Sequence, residues 1–218
     1  MQRDKERKMG IPVLVIGESG SGKSASLRNF SEDEIGIFNV ASKPLPFRKK
    51  LKKVDNSTYD VIKKALTNPK LKCYAIDDSQ YLLCFAEFAR AKETGYQKFT
   101  DFALDFTNLI KFIIEQTPPD CIVYFLHHSE QTEFGKIKAK TIGKMLDNHL
   151  TVEGLFAVVL YCVADGTKHK FITQSDGTTT AKSPMEMLPL EMDNDLKAVD
   201  TAIREYWGLN DGNEESST

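Results

Sequence analysis

Along the chain, short apolar runs alternate with amphipathic stretches, and the alternation predicts elements in a regular order. Ile11 to Ile16 is an apolar, β-branched run too short for a helix and reads as a buried strand. A Gly/Ser-rich loop follows, then a helix from about Lys23 to Phe30. Ile35 to Val40 predicts a second strand, Ser57 to Leu66 a helix capped by Ser57, and Cys73 to Ile76 a third strand closed by Asp77 and Asp78. Tyr81 to Ala91 is helical in pattern, with Gly95 as its breaker. From about Thr100 a longer helix carries Phe102, Phe106, Leu109, Ile110 and Ile113 on one core-facing stripe and stops at Pro118-Pro119. Cys121 to Leu126 is a fourth strand, and Leu155 to Ala164, continuously apolar, a fifth. Lys168 to Thr173 and Thr178 to Lys182, joined across Ser175-Asp176-Gly177, predict a β-hairpin, and Asn194 to Trp207 a last helix.

Strands alternating with helices imply an α/β fold with a mostly parallel sheet covered on both faces. The length of 218 residues predicts one domain over 1–209, followed by an acidic, unstructured tail at 210–218. With 41% hydrophobic and 28% charged residues the composition excludes bulk disorder. Leu155 to Ala164 is about half as long as a membrane-spanning helix needs to be. The opening residues MQRDKERKMG hold no apolar stretch, so the expectation is a cytoplasmic protein without a secretory leader or membrane partner. Cys73, Cys84, Cys121 and Cys162 form no CxxC pair and show no ligand spacing with the histidines, which predicts reduced thiols and no structural metal.

Charge changes the picture more than composition does. The overall charge is only -2, yet Lys43 to Lys72 holds ten Lys or Arg against Asp55 and Asp60. Pro184 to Thr218 holds nine acids against Lys197 and Arg204. A basic face for a polyanion and an acidic tail competing with it fit this asymmetry, as do two solvated faces of opposite sign.

The candidate chemistry begins at Gly17-Glu18-Ser19-Gly20-Ser21-Gly22-Lys23-Ser24, which fits G-x-x-x-x-G-K-[ST] between a strand and a helix. Glycines let successive backbone N–H groups face phosphate oxygens, and the helix start adds positive charge. Residues Gly17 through Ala25 are therefore the candidate ATP cradle. Lys23 would reach the β- and γ-phosphates, and the Ser24 hydroxyl would ligate Mg²⁺. Tyr74-Ala75-Ile76-Asp77-Asp78 supplies the strand-end carboxylates of a Walker B motif: Asp77 for the metal, Asp78 to orient or deprotonate the attacking water, with Glu18 as an alternative for the latter. His127-His128 ends the fourth strand, where a polar residue sensing the γ-phosphate is expected, and His128 is preferred. The six arginines are scattered, unlike a kinase lid, and no guanine-reading N-K-x-D is present. The residues after the fifth strand open with a predicted hairpin rather than a helical lid, which favours a RecA-type core.

With GESGSGKS, YAIDDS, the GYQKF before a long helix, FLHHSE and KTIGKML in place, the chain resembles small phage-encoded RecA-core ATPases grouped with single-strand-annealing recombination proteins. The resemblance implies a three-layer P-loop NTPase that binds ATP and Mg²⁺ and acts on single-stranded DNA. It further implies self-association into rings or filaments, and a single-strand-binding protein among the partners. It also suggests Lys168 and Lys170, directly after the fifth strand, as cationic fingers reaching the γ-phosphate of a neighbouring subunit. One departure stands out: Val40-Ala41-Ser42-Lys43, after the second strand, contains no acid where such cores often carry the catalytic one. Phe47 and Tyr59, inside the basic segment, are candidates for base stacking or for the core. The alternatives to a DNA-dependent ATPase are a helicase loader or packaging-type motor driving a protein partner, and a nucleotide switch unrelated to DNA.

Overall fold

The computed structural model of the chain describes residues 9–142 and 151–209. The expected acidic tail and the end of the KTIGKML segment lie outside them. The described chain forms strands β1 (Ile11–Gly17), β2 (Gly36–Asn39), β3 (Lys52–Asp55), β4 (Cys73–Asp77), β5 (Ile122–Gln131), β6 (Ile137–Ala139), β7 (Val158–Asp165), β8 (Lys168–Ile172) and β9 (Glu191–Asp193). Its α-helices are α1 (Tyr59–Thr67), α2 (Gln80–Ala89), α3 (Gln97–Gln116) and α4 (Leu196–Trp207).

The sheet runs β3-β2-β4-β5-β1-β7-β8-β9, with β6 paired to β5. From β3 through β7 the pairs along this path are parallel, whereas β8 and β9 add antiparallel strands at the far edge. This is the expected α/β architecture, and β5 separates the P-loop strand β1 from the Asp77 strand β4, as a RecA-type core requires and a kinase-type core does not. Pleating sends alternate residues to opposite faces. Leu14, Ile16, Phe38, Ile76 and Phe125 pack with Ile62, Leu82 and the α3 stripe, whose five predicted members are all buried. Val13, Val15, Ile37, Ala75 and Leu126 pack on the other face with Leu27, Leu196, Val199 and Ile203. Three layers result.

Several boundaries differ from expectation for identifiable reasons. The segment after the P-loop is a six-residue 3-10 turn, Ser24–Asn29, rather than an α-helix. Ser24, Ser26 and Asn29 are weak helix formers, and the Ser26 hydroxyl bonds back to the Lys23 carbonyl. Helix α1 is capped by Thr58, whose hydroxyl accepts from Val61 N, because the Ser57 hydroxyl instead donates to the Val54 carbonyl. Strand β5 continues past Leu126 because Ser129–Gln131 pair with β6. The predicted hairpin is replaced by a different one: β8 turns back on β7 through Gly166 (φ 61°), and its other side pairs with β9. Residues 178–182 follow a turn at Gly177 (φ 101°), as foreseen, but bridge to Ile137 and Val159 instead of to β8. Strands β3, β6 and β9 were not anticipated.

Candidate functional site

In parallel sheets, side chains from different strands converge beyond the carboxyl ends. There the loop after β1, the end of β4, His128 of β5 and the segment after β2 line a cleft of about 430 Å³. Its walls include Ser19, Gly20, Gly22, Lys23, Ser24, Ala25, Asp77, Asp78 and His128 from the predicted set, together with Lys43 and His169.

The glycines of the loop have separate reasons. Gly22 sits at φ 101°, where L side chains are rarely found, and a Cβ there would lie 2.9 Å from the His169 ring. At Gly17 a Cβ would lie 2.6 Å from the Cys162 carbonyl oxygen, so only glycine lets the loop leave β1 against β7. The Ser21 carbonyl is fixed from outside by His169 Nδ1 at 2.8 Å and by Cys162 Sγ at 3.1 Å. A carbonyl only accepts, so His169 carries its proton on Nδ1. The six-residue turn after the loop is too short for the helix dipole foreseen from sequence. Positive charge is supplied by Lys23 and Lys43 instead.

Lys23 is buried, and its ammonium donates to the Gly17 and Glu18 carbonyls, both at 2.8 Å. Burial lowers its pKa, against the opposing charges of Asp78 and Asp77. Ser24 Oγ donates to Asp77 Oδ1 at 2.6 Å. Burial raises the Asp77 carboxyl, and the Ser24 hydrogen bond only partly offsets it. A hydroxyl and a carboxylate this close, in a cleft fringed by phosphate-type donors, are hard oxygen ligands suited to Mg²⁺, which is usually held by one or two protein oxygens with water and phosphates completing its shell.

Asp78 adopts a left-handed backbone (φ 60°), uncommon for a non-glycine residue, and its carboxylate has partners other than the Ser24 hydroxyl that meets Asp77. Its carboxylate meets Lys43 Nζ at 2.6 Å and lies 3.4 Å from His128 Nε2. Burial would raise the Asp78 pKa, but His128 and Lys43 together outweigh it and leave the group below its ordinary value. Lys43 also lies over the Tyr81 ring at 5.1 Å, and His128 meets the same ring edge-on at 5.5 Å. Tyr81, the second residue of α2, is thus a shared platform for both.

His127 has no face on the cleft. It is fully buried, with Nδ1 2.9 Å from Ser79 Oγ and Nε2 2.8 Å from the Lys140 carbonyl. Because that carbonyl can only accept, the neutral ring carries its proton on Nε2. Burial pushes its pKa down to about 4.

Lys168 and Lys170 alternate with His169 on β8, so the face that meets the P-loop carries His169 and not the lysines. Lys168 is exposed, and Lys170 pairs with Glu191 of β9 at 2.8 Å. Glu18 is exposed at the loop tip. Tyr59 is packed against the first core cluster and Phe47 against the second, so the core reading of both aromatics holds. The segment Lys43–Lys72 is divided: Lys43 belongs to the cleft, whereas Lys52 and Lys53 lie on the exposed edge strand β3. Sequence reasoning missed Lys43, Tyr81, Cys162 and His169. The absence of an acid after β2 was the one signal that pointed near Lys43. A second cleft of about 540 Å³ opens around Glu34, Lys197, Asp200 and Arg204, where Lys197 pairs with Glu34 and Arg204 with Asp200.

No family model matches the chain, and no curated protein matches it either. Among solved structures it is similar to the P4 protein from bacteriophage phi6 in complex with ADP, at 15% identity and a TM-score of 0.40, over 79% of this chain and 58% of that one.

Proposed function

We propose that the protein is a Mg²⁺-dependent ATPase that acts on single-stranded DNA. The observation that carries the first half is the constellation at the end of β1 and β4: Lys23 folded over its own loop carbonyls, with Ser24 Oγ 2.6 Å from Asp77. Lys23 and the loop N–H groups bind and orient a triphosphate, and Ser24 with Asp77 would hold Mg²⁺, which neutralises phosphate charge when bound. Asp78 is the group to orient or deprotonate a water; Lys43 holds its carboxylate at 2.6 Å, and His128 Nε2 lies 3.4 Å from it. Lys168 and Lys170 point off the protein's own site, an arrangement that suits contact with the γ-phosphate of a neighbouring copy in a ring or filament.

The DNA half rests on the basic segment and on the resemblance in motifs. Lys52 and Lys53 on β3 with Arg48, Lys49 and Lys50 before it form an exposed cationic edge of the sheet. Phosphate neutralisation by such a track makes binding fall steeply with salt. Filter binding of single-stranded and double-stranded DNA, with ATP hydrolysis measured in parallel, tests the proposal. Salt-sensitive retention of single strands with faster hydrolysis supports it. Hydrolysis stimulated by neither form of DNA refutes the DNA half.

A further inference from the structure

Asn39, at the end of β2, stands in one row across three strands, opposite Asp55 of β3 on one side and Asp77 of β4 on the other. It is fully buried, and its amide nitrogen donates one proton to Asp55 Oδ1 at 2.6 Å and the other to the Lys43 carbonyl at 2.7 Å. Asp55 is held in turn by the ammonium of Lys53, on the exposed basic edge. A second tie runs parallel to the first: Asn56 N donates to Ser42 Oγ at 2.7 Å. Both residues of that tie have left-handed backbones, Ser42 at φ 55° and Asn56 at φ 53°, a conformation asparagine tolerates and serine adopts rarely. Each end of this connection is charged. At one end Lys53 faces solvent; at the other Lys43 Nζ grips Asp78.

We propose that Lys43 is a positioning residue for Asp78 and that Asn39, Ser42 and Asp55 couple it to the basic edge strand, so that single-stranded DNA bound along β3 changes turnover at the nucleotide site. The inference rests on the function proposed above and names how its two halves communicate. DNA phosphates compete with Asp55 for the Lys53 ammonium. Asp55, left beside phosphate without its counter-charge, is repelled, and the Asn39 amide it holds moves with it. Asn39 also fixes the Lys43 carbonyl, so the grip of Lys43 on Asp78 changes at the same time. Coupling of this kind between two sites is commonly about 5- to 150-fold.

The test uses the full chain, with a thirty-nucleotide oligo(dT) as probe (a length of about 30 covers several nucleotide-binding grooves). ATP hydrolysis is measured with and without the probe, and probe affinity is measured by fluorescence anisotropy. Asp55→Ala is expected to bind the probe at least as tightly as wild type, because it removes a negative charge. Since the Asn39 amide has then already lost its Asp55 partner, the variant's hydrolysis without DNA is expected to shift toward the rate of DNA-bound wild type, with most of the stimulation lost. Asp55→Asn, which keeps an oxygen for the Asn39 amide, is expected to regain much of the response. Lys43→Met is expected to bind the probe normally with a turnover that no longer responds to it. Stimulation of Asp55→Ala equal to that of wild type overturns the inference alone. A wild-type protein that neither hydrolyses ATP nor binds the probe overturns the proposed function, and the coupling with it.

Discussion

His127 offers a measurement in which the fold reports on itself. The ring is fully buried between Ser79 and the Lys140 carbonyl, and its pKa falls from an ordinary 6.5 to about 4. A group whose pKa is lower in the folded state binds fewer protons there than when unfolded, so acid favours unfolding. The stability it confers is complete above about pH 6.5 and is lost progressively as pH falls toward 4. From about pH 7.5 to about pH 5 the loss is about 2 kcal/mol, approaching about 3 kcal/mol in stronger acid. With a urea m-value of about 2 kcal/mol/M, the denaturation midpoint should fall by roughly 1 M across that interval. The carboxylates with lowered pKa, such as Glu34 and Asp101, act mainly below this window. Substituting His127→Gln keeps an amide proton for the Lys140 carbonyl but removes the titration. The variant's midpoint should therefore be nearly flat over the same range, whatever its stability at neutral pH. Parallel decline of wild type and variant would refute the assignment of this pH dependence to His127.

Other expectations follow from the site and the core. Asp77→Asn should weaken Mg²⁺-dependent nucleotide binding, measured by titration calorimetry, whereas Asp78→Asn should bind normally and turn over slowly; equal loss of affinity in both would contradict their division. Phe106→Ala removes a fully buried ring of α3 that packs on Phe125, and should cost about 3–5 kcal/mol in urea denaturation. A loss under about 1 kcal/mol would place the ring outside the packed core. The double variant Lys168→Ala/Lys170→Ala and Lys23→Ala should each be inactive alone and regain partial hydrolysis when mixed, since an intact loop can then meet intact lysines across one interface. No recovery in proven mixed assemblies would leave Lys170 with its Glu191 pairing and no role in trans.

What could be read from the sequence follows the strength of the force behind each element. The core strands and α3 were legible because burial demands apolar residues at fixed spacing, and the P-loop because positive φ and close approach demand glycine. Strand β3 was invisible: Lys52–Asp55 is exposed throughout and pairs on one edge through its backbone, which leaves no side-chain pattern. Strands β6 and β9, three residues each, are too short to show one. The roles of Lys43 and His169 were equally hidden, because Lys43 meets Asp78 and His169 meets the Ser21 carbonyl from segments with no motif of their own. The assignment of the histidine pair illustrates the middle ground. Alternation along β5 puts His127 and His128 on opposite faces, but only the packing of α3 and the Lys140 segment shows which face is closed.

The central claim is that Lys23 and its loop serve phosphate chemistry, and release of inorganic phosphate from Mg²⁺-ATP by wild type and by Lys23→Ala tests it most directly. Circular dichroism melts of both proteins establish whether the variant is folded, as expected where the Lys23 ammonium donates to the Gly17 and Glu18 carbonyls of its own loop. The account predicts phosphate release by wild type and a loss of at least about 100-fold in the variant. A folded Lys23→Ala protein that releases phosphate at the wild-type rate would contradict it.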